Sequence, residues 1–168
     1  MSSKISRYPG VEISQSDFLE RRIFGISRRM ELEYSWSEGE ALSRFFQELK
    51  NGRIIARKCY RCQRIMVPPR MYCEECFRKT DEWVYVSDTG TVNTFSICYV
   101  DTDASRLETP RIPAVIEIDG ASPGMGILHV LGEVEPRDVY IGMRVRAVWL
   151  PQEERKGAIT DIKYFKPL

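Results

Sequence analysis

Two Cys-x-x-Cys pairs ten residues apart, a helical apolar period just before them and a change to strand period after Trp83 predict a mainly β chain with N-terminal helices. The expected order is an N-terminal helical segment (1–52), a zinc ribbon (53–80) and a five-stranded OB-fold barrel (81–168). A length of 168 residues suits one large domain or two small ones, and 43% hydrophobic with 29% charged residues is a globular composition, neither disordered nor fibrous.

Two helices are expected first. Ser14-Gln-Ser-Asp17 reads as the cap of a short helix carrying Phe18, Leu19, Arg22 and Ile23 and ended by Gly25. Ser37-Glu-Gly-Glu40 reads as a capping box, followed by apolar Leu42, Phe45, Phe46 and Leu49 and closed by Asn51-Gly52. A helix over 38–50 thus presents an aromatic face, which either packs on the protein's own core, the usual fate of such a stripe, or forms a groove for an apolar ligand or partner.

The ribbon follows. A strand at 53–58 leads into Cys59-Tyr-Arg-Cys62, a strand at 63–67 leaves it, Pro68-Pro69 bends the chain, and Cys73-Glu-Glu-Cys76 completes the set. Two such turns on facing hairpins place four thiolates about one metal ion. Two disulfides, or a thioredoxin-like redox pair, are the other readings of such spacing; the first suits an oxidising compartment, and the second leaves one pair unexplained. Zinc is the default metal, with iron in a rubredoxin-type site using the same ligands. Four thiolates close the shell, so the site is structural. So short a segment cannot bury a sufficient core, and metal binding, worth about 10–16 kcal/mol in small zinc peptides, is what folds it. Cys98, alone on an alternating stretch, reads as an inert, buried thiol.

Barrel strands are expected at 83–87 running on through 90–101, then at 114–119, 126–135, 143–150 and 159–165. Asp88-Thr-Gly90 interrupts the first as a bulge would, and 136–142 holds one helical turn between the third and fourth. This is the layout of an OB barrel, with another small antiparallel barrel as the alternative.

The net charge of +1 conceals an asymmetry. Residues 1–80 carry 16 Lys/Arg against 10 Asp/Glu, a net of +6, while residues 81–168 carry 9 against 14, a net of −5. A barrel of that sign lacks the positive groove of single-strand-binding OB folds, so nucleic acid is the less favoured ligand despite Phe95, Tyr99, Trp149 and Tyr164 as stacking candidates. No apolar stretch reaches the length of a membrane span and the start lacks the apolar core of a signal peptide, so a cytoplasmic protein is expected. Catalysis is not expected either: the one histidine, His129, lies in a strand with no nucleophile motif beside it, and no Gly-rich phosphate loop occurs.

One ordered set of motifs carries a resemblance. An aromatic helix is followed by Gly52-Arg-Ile-Ile55, Cys-x-x-Cys, Pro68-Pro-Arg70, Cys-x-x-Cys, Gly90-Thr-Val92, Phe95-Ser96, Pro-Ala-Val-Ile-Glu-Ile-Asp-Gly at 113–120, and Ile141-Gly-Met-Arg-Val145. Over 38–168 this resembles the domain-of-unknown-function family number thirty-five, a rubredoxin-like zinc ribbon fused to an OB fold. The chain departs from it at Gln63, where such knuckles often carry Gly, and in a longer N-terminal segment of 35 residues. The resemblance implies a non-catalytic partner of a thiolase or hydroxymethylglutaryl-CoA synthase-type enzyme that helps hold an acyl-CoA intermediate. On that expectation Phe45, Phe46, Phe95 and Tyr99 line a cleft for the acyl or pantetheine arm. Arg53, Arg57, Lys58, Arg64 and Arg70 fall in a window with no acid between Asn51 and Tyr72. They either offset the −2 charge of a tetrathiolate zinc site or receive the phosphates of CoA or an acidic partner surface.

Overall fold

The computed structural model describes residues 14–22 and 33–168, and they fall into two units, residues 1–36 and 37–168. In the first, Ser14 caps helix α1 (Gln15–Leu19): its hydroxyl accepts from the Asp17 N–H at 3.1 Å, and the Asp17 carboxylate accepts from the Ser14 N–H at 3.1 Å. Five residues bury nothing, so Phe18 and Leu19 are exposed; Ile23 and Gly25 lie outside the described residues.

In the second unit, helix α2 (Gly39–Lys50) starts one residue later than expected. Glu38 takes the cap position in a helical conformation, so Ser37 lies one residue too early to cap, and the box with Glu40 does not form. The helix ends where Gly52, at φ +72°, donates to the Leu49 carbonyl at 2.8 Å. Ala41, Phe45 and Leu49, four residues apart, are its buried stripe.

Strand β1 (Ile54–Lys58) is buried along Ile54, Ile55, Ala56 and Arg57 and therefore needs partners on both edges. One is β2 (Ile65–Met66). The other is β3 (Glu82–Val86), which pairs with β1 at five successive positions from Ile54↔Val86 to Lys58↔Glu82. The stretch at 83–87 thus belongs to the ribbon's sheet and not to the barrel. Period-two alternation marks a strand but does not say which sheet it joins.

The barrel strands follow a turn at Ser87. They are β4 (Thr89–Phe95), the short β5 (Cys98–Val100), β6 (Arg106–Ile118), β7 (Gly126–Leu131), β8 (Arg144–Trp149) and β9 (Ile162–Pro167). Strands pair in the ring β4–β6–β7–β9–β8–β4, with β7 and β9 parallel, which is the closed five-stranded OB order. β5 hangs outside the ring on the first half of β6. β6 is longer than 114–119 because Pro113 removes only a donor from the ladder; its carbonyl still accepts from Ser96 N–H at 2.9 Å. Gly126 is required where β7 crosses β6, since a Cβ there would lie 2.5 Å from the Ile116 carbonyl oxygen. The expected turn between the third and fourth barrel strands is a 3₁₀ turn at Pro136–Asp138.

One core joins helix, ribbon and barrel. Phe45 and Leu49 from α2 meet Ile54 and Ile55 from β1 and Val92, Ile116, Val145 and Phe165 from the barrel. Phe45 is therefore a core residue and lines no open cleft; Phe46 packs half-buried on the same cluster. Among the described residues no helix is long and apolar enough to cross a membrane.

Candidate metal centre

The four knuckle cysteines converge. The Sγ atoms of Cys59, Cys62, Cys73 and Cys76 all lie within 4.8 Å of one another, and Cys59 and Cys76 are 3.7 Å apart. A tetrahedron with 2.3 Å metal–sulfur bonds has edges of about 3.8 Å, so the cluster fits one ion. Each knuckle is closed by the same bond: Cys59 N–H donates to Arg64 O and Cys73 N–H to Arg78 O, both at 2.8 Å. Each also places the residue after its second cysteine, Gln63 and Phe77, at φ +56°, the left-handed conformation that glycine adopts most readily. Gln63 partly compensates by donating its side-chain amide to the Tyr60 carbonyl at 2.5 Å.

The environment of the sulfurs suits a cation among them. The hydrogen bond from the Arg78 backbone draws the Cys76 thiol down to about 7, while burial and the neighbouring Cys76 and Cys73 sulfurs push Cys62 up. Four sulfurs this close share negative charge only when a metal neutralises it. With only thiolates as donors, the site suits zinc or iron and leaves no open position for chemistry.

The metal knuckles lean on the barrel. Cys59, Met66, Cys73 and Met125 form a small core of their own. Ile65 N–H donates to Ser122 Oγ at 2.8 Å, Ser122 N–H donates to Ile65 O at 2.9 Å, and Arg64 Nη1 donates to the Pro123 carbonyl at 3.2 Å.

The remaining predicted residues separate into spent and open ones. Arg57 is 5% exposed: its Nε donates to Thr80 Oγ1 at 2.8 Å, its Nη2 to the Thr80 carbonyl, and its guanidinium lies 4.7 Å from the Trp83 ring centroid. It holds β1 to the second knuckle and cannot receive a phosphate. Arg64 is paired with Glu74 and Glu75, Arg70 with Glu74, and Arg53 with Glu48 at 2.7 Å. Lys58 has no ion pair among the described residues; its ammonium lies 5.9 Å from the Tyr60 ring. Phe95 lines a shallow barrel depression with Pro113, Ala114, Val115 and Leu128, and Tyr99 is exposed on β5. The lining of the Phe95 depression includes neither Tyr99, Phe45 nor a ribbon arginine, and Phe45 lies in the core. Cys98 is half-buried, opposite Arg111. Sequence reasoning passed over Thr80 and Ser122, whose small hydroxyls carry no motif; a threonine only 3% exposed marks a structural contact that folding alone reveals.

Comparison with known proteins agrees with this architecture. Residues 46–82 match the family model described as the ChsH2 rubredoxin-like zinc ribbon domain, and residues 83–150 match the ChsH2 C-terminal OB-fold domain. A DUF35 domain-containing scaffold protein of Methanocaldococcus jannaschii is 33% identical over 118 residues, 68% of this chain and 82% of its own. A probable enoyl-CoA hydratase alpha subunit of Thermomonospora curvata is 24% identical over 63% of this chain, which spans only 32% of that protein. A crystal structure of a DUF35 protein of unknown function from Sulfolobus solfataricus superposes with a TM-score of 0.56 at 32% identity, covering 66% of this chain and 78% of that one. The Ltp2–ChsH2(DUF35) aldolase gives 0.57 at 20% identity over 79% of this chain and 98% of that one, a likeness of fold alone. With both the ribbon and the barrel matched in order, and a relative aligned over most of its length, the chain belongs to the DUF35 family of zinc-ribbon and OB-fold proteins.

Proposed function

We propose that the protein is a non-catalytic subunit, folded by zinc, that scaffolds a thiolase-type or hydroxymethylglutaryl-CoA synthase-type enzyme in acyl-CoA metabolism. The observation that carries this is a coordinatively closed metal site with no open position, seated in a small core that it shares with Met125 just before β7 and bonded to the barrel through Ser122. His129 offers no general base in a triad: its Nε2 faces the Ile159 carbonyl at 3.3 Å, and its ring packs edge-on against Phe165. Kinship with a DUF35 scaffold protein of Methanocaldococcus jannaschii supports the reading, and the Ltp2–ChsH2(DUF35) aldolase shares the fold.

Acyl-CoA binding belongs to the same proposal. The Phe95 depression offers apolar contact, and Lys58, with the half-open Arg53 and Arg70, supplies the phosphate charge. Affinity capture with tagged, metal-loaded protein from the native lysate tests the scaffold: recovery of a thiolase-type enzyme is expected, and recovery of nucleic acid instead, weakening steeply with salt, would favour the alternative reading. Calorimetry with acetoacetyl-CoA tests the ligand; no heat at millimolar concentration removes that half. Elemental analysis is expected to give one equivalent of zinc, and iron would revise the metal.

A further inference from the structure

The ribbon's metal-binding end carries a feature that the knuckle itself does not need. Phe77 follows the last cysteine, is 81% exposed, and holds a left-handed backbone conformation that a bulky side chain adopts only at a cost. Gln63 occupies the matching place in the first knuckle at the same φ and offsets the strain with its hydrogen bond to Tyr60; Phe77 has no such compensation, since its ring points into water. Glycine would close the second knuckle with less strain and would expose no aromatic surface. The knuckle therefore does not explain a phenylalanine here.

The surroundings narrow the explanation. Arg61, Arg78 and Lys79 are exposed and, among the described residues, make no ion pair, whereas Arg53, Arg64 and Arg70 are all paired with glutamates. The three free cations lie within three residues of cysteines whose sulfurs cluster within 4.8 Å, so they rim the same metal-ordered end, together with exposed Tyr60 and Tyr72. Unspent positive charge around a protruding aromatic is the make-up of an interface anchor.

We infer that this end of the ribbon, with Phe77 at its centre and Arg61, Arg78 and Lys79 around it, is the surface that docks on an acidic patch of the scaffolded enzyme, Phe77 entering an apolar pocket there. The inference rests on the scaffold reading. A folded protein is the occupant favoured over nucleic acid because the cations form a small cluster at one end, and the barrel beyond it, with 9 Lys/Arg against 11 Asp/Glu over residues 89–168, offers no continuing positive track for phosphates.

The experiment uses the full metal-loaded chain and the enzyme recovered by it, with affinity measured for the wild type, Phe77→Gly, the double variant Arg78→Glu/Lys79→Glu, and Gln63→Gly as a strain-relieving control. Phe77→Gly is expected to weaken binding at least about tenfold, the size of a lost hot spot, while its unfolding midpoint stays level or rises. The double reversal is expected to weaken binding comparably and to flatten its salt dependence. Gln63→Gly is expected to leave affinity unchanged. Wild-type affinity in both Phe77→Gly and the double reversal overturns the inference while leaving the scaffold reading intact, as does binding of a single-stranded oligonucleotide, or self-association, that these variants abolish. Failure of the wild type to recover any enzyme refutes the scaffold reading and this inference together.

Discussion

Removing the metal should dissolve the knuckles and leave the rest of the molecule standing. In a small core of its own the knuckle region buries Cys59, Met66 and Cys73 against Met125 and the partly buried Ala121, two of those three being metal ligands, while Val67, with Ile65 beside it, joins the main cluster. Without an ion, what ties it to the rest of the molecule is the Met66 and Val67 contacts, worth about 2 kcal/mol each, and the two Ile65–Ser122 bonds with the Arg64–Pro123 bond, about 1 kcal/mol each. Together these fall short of the roughly 10–16 kcal/mol that metal binding supplies in zinc peptides. β1 and β3 are held differently: Ile54, Ile55 and Ala56 belong to the main cluster with Phe45, Val92 and Phe165, and none of these touches a ligand cysteine in that cluster. Hydrogen exchange after chelation in the presence of reductant should therefore show protection lost over residues 59–80 and kept in β1, β3 and the barrel ring. Loss of protection throughout, in one transition, would refute the division into two cores; protection retained at 59–80 would refute the metal as the ribbon's fold-determining element.

Three further outcomes are expected. Asp161 is 1% exposed and its carboxylate accepts from the backbone N–H groups of Lys156, Gly157 and Ala158 at 2.9, 2.8 and 3.2 Å, so Asp161→Ala should lower stability by about 3 kcal/mol in urea unfolding, and a loss below about 1 kcal/mol would show that water replaces those bonds. The Arg144 guanidinium, bonded to the Asp119 carboxylate, holds that carboxyl below its usual range, with Thr89 adding a further bond. The stabilisation is present above the unfolded value near 4 and is lost as pH falls through the lower folded value; because both side chains are more than a third exposed it should stay under about 1 kcal/mol, and the stability gap between wild type and Asp119→Asn should close on acidification below pH 4. Gly126→Ala places a methyl 2.5 Å from the Ile116 carbonyl oxygen and should cost more than about 2 kcal/mol; an unchanged melting curve would mean the β6–β7 crossing yields more easily than its geometry indicates.

The parts of the fold that were legible were those with local chemistry. Cys-x-x-Cys spacing names its ligands because a metal dictates where sulfurs sit, and the alternating runs in β4, β7, β8 and β9 name strands because one face must be buried. Pairing partners were not legible. Trp83 to Val86 alternates like a barrel strand, yet β1 is buried on both faces and claims it as a neighbour; nothing within five residues encodes which sheet a strand completes. The same holds for Ile159 to Asp161, which looks like the start of β9 but turns instead, since the Asp161 carboxylate has three amides to satisfy.

The ribbon's charge shows the same limit at the functional surface. In sequence, six cations stand between Asn51 and Tyr72 with no acid among them, and that window marks Arg53, Arg57, Lys58, Arg64 and Arg70 either as compensation for the thiolates or as binding charge. Folding brings Glu48 from α2 and Glu74 and Glu75 from the second knuckle against three of the arginines, and buries the fourth, Arg57, on Thr80 and Trp83. An ion pair is a property of space, and the carboxylates that neutralise these arginines lie two or three residues outside the window that made them look free. Lys58 and Arg61 inside that window, and Arg78 and Lys79 beyond it and close to Glu74 and Glu75 in sequence, are the ribbon cations left without a carboxylate among the described residues. Charge available to a partner is therefore what remains after the fold has paired its own, and on this ribbon the remainder gathers around Phe77, the residue whose backbone strain the knuckle gives no reason to keep.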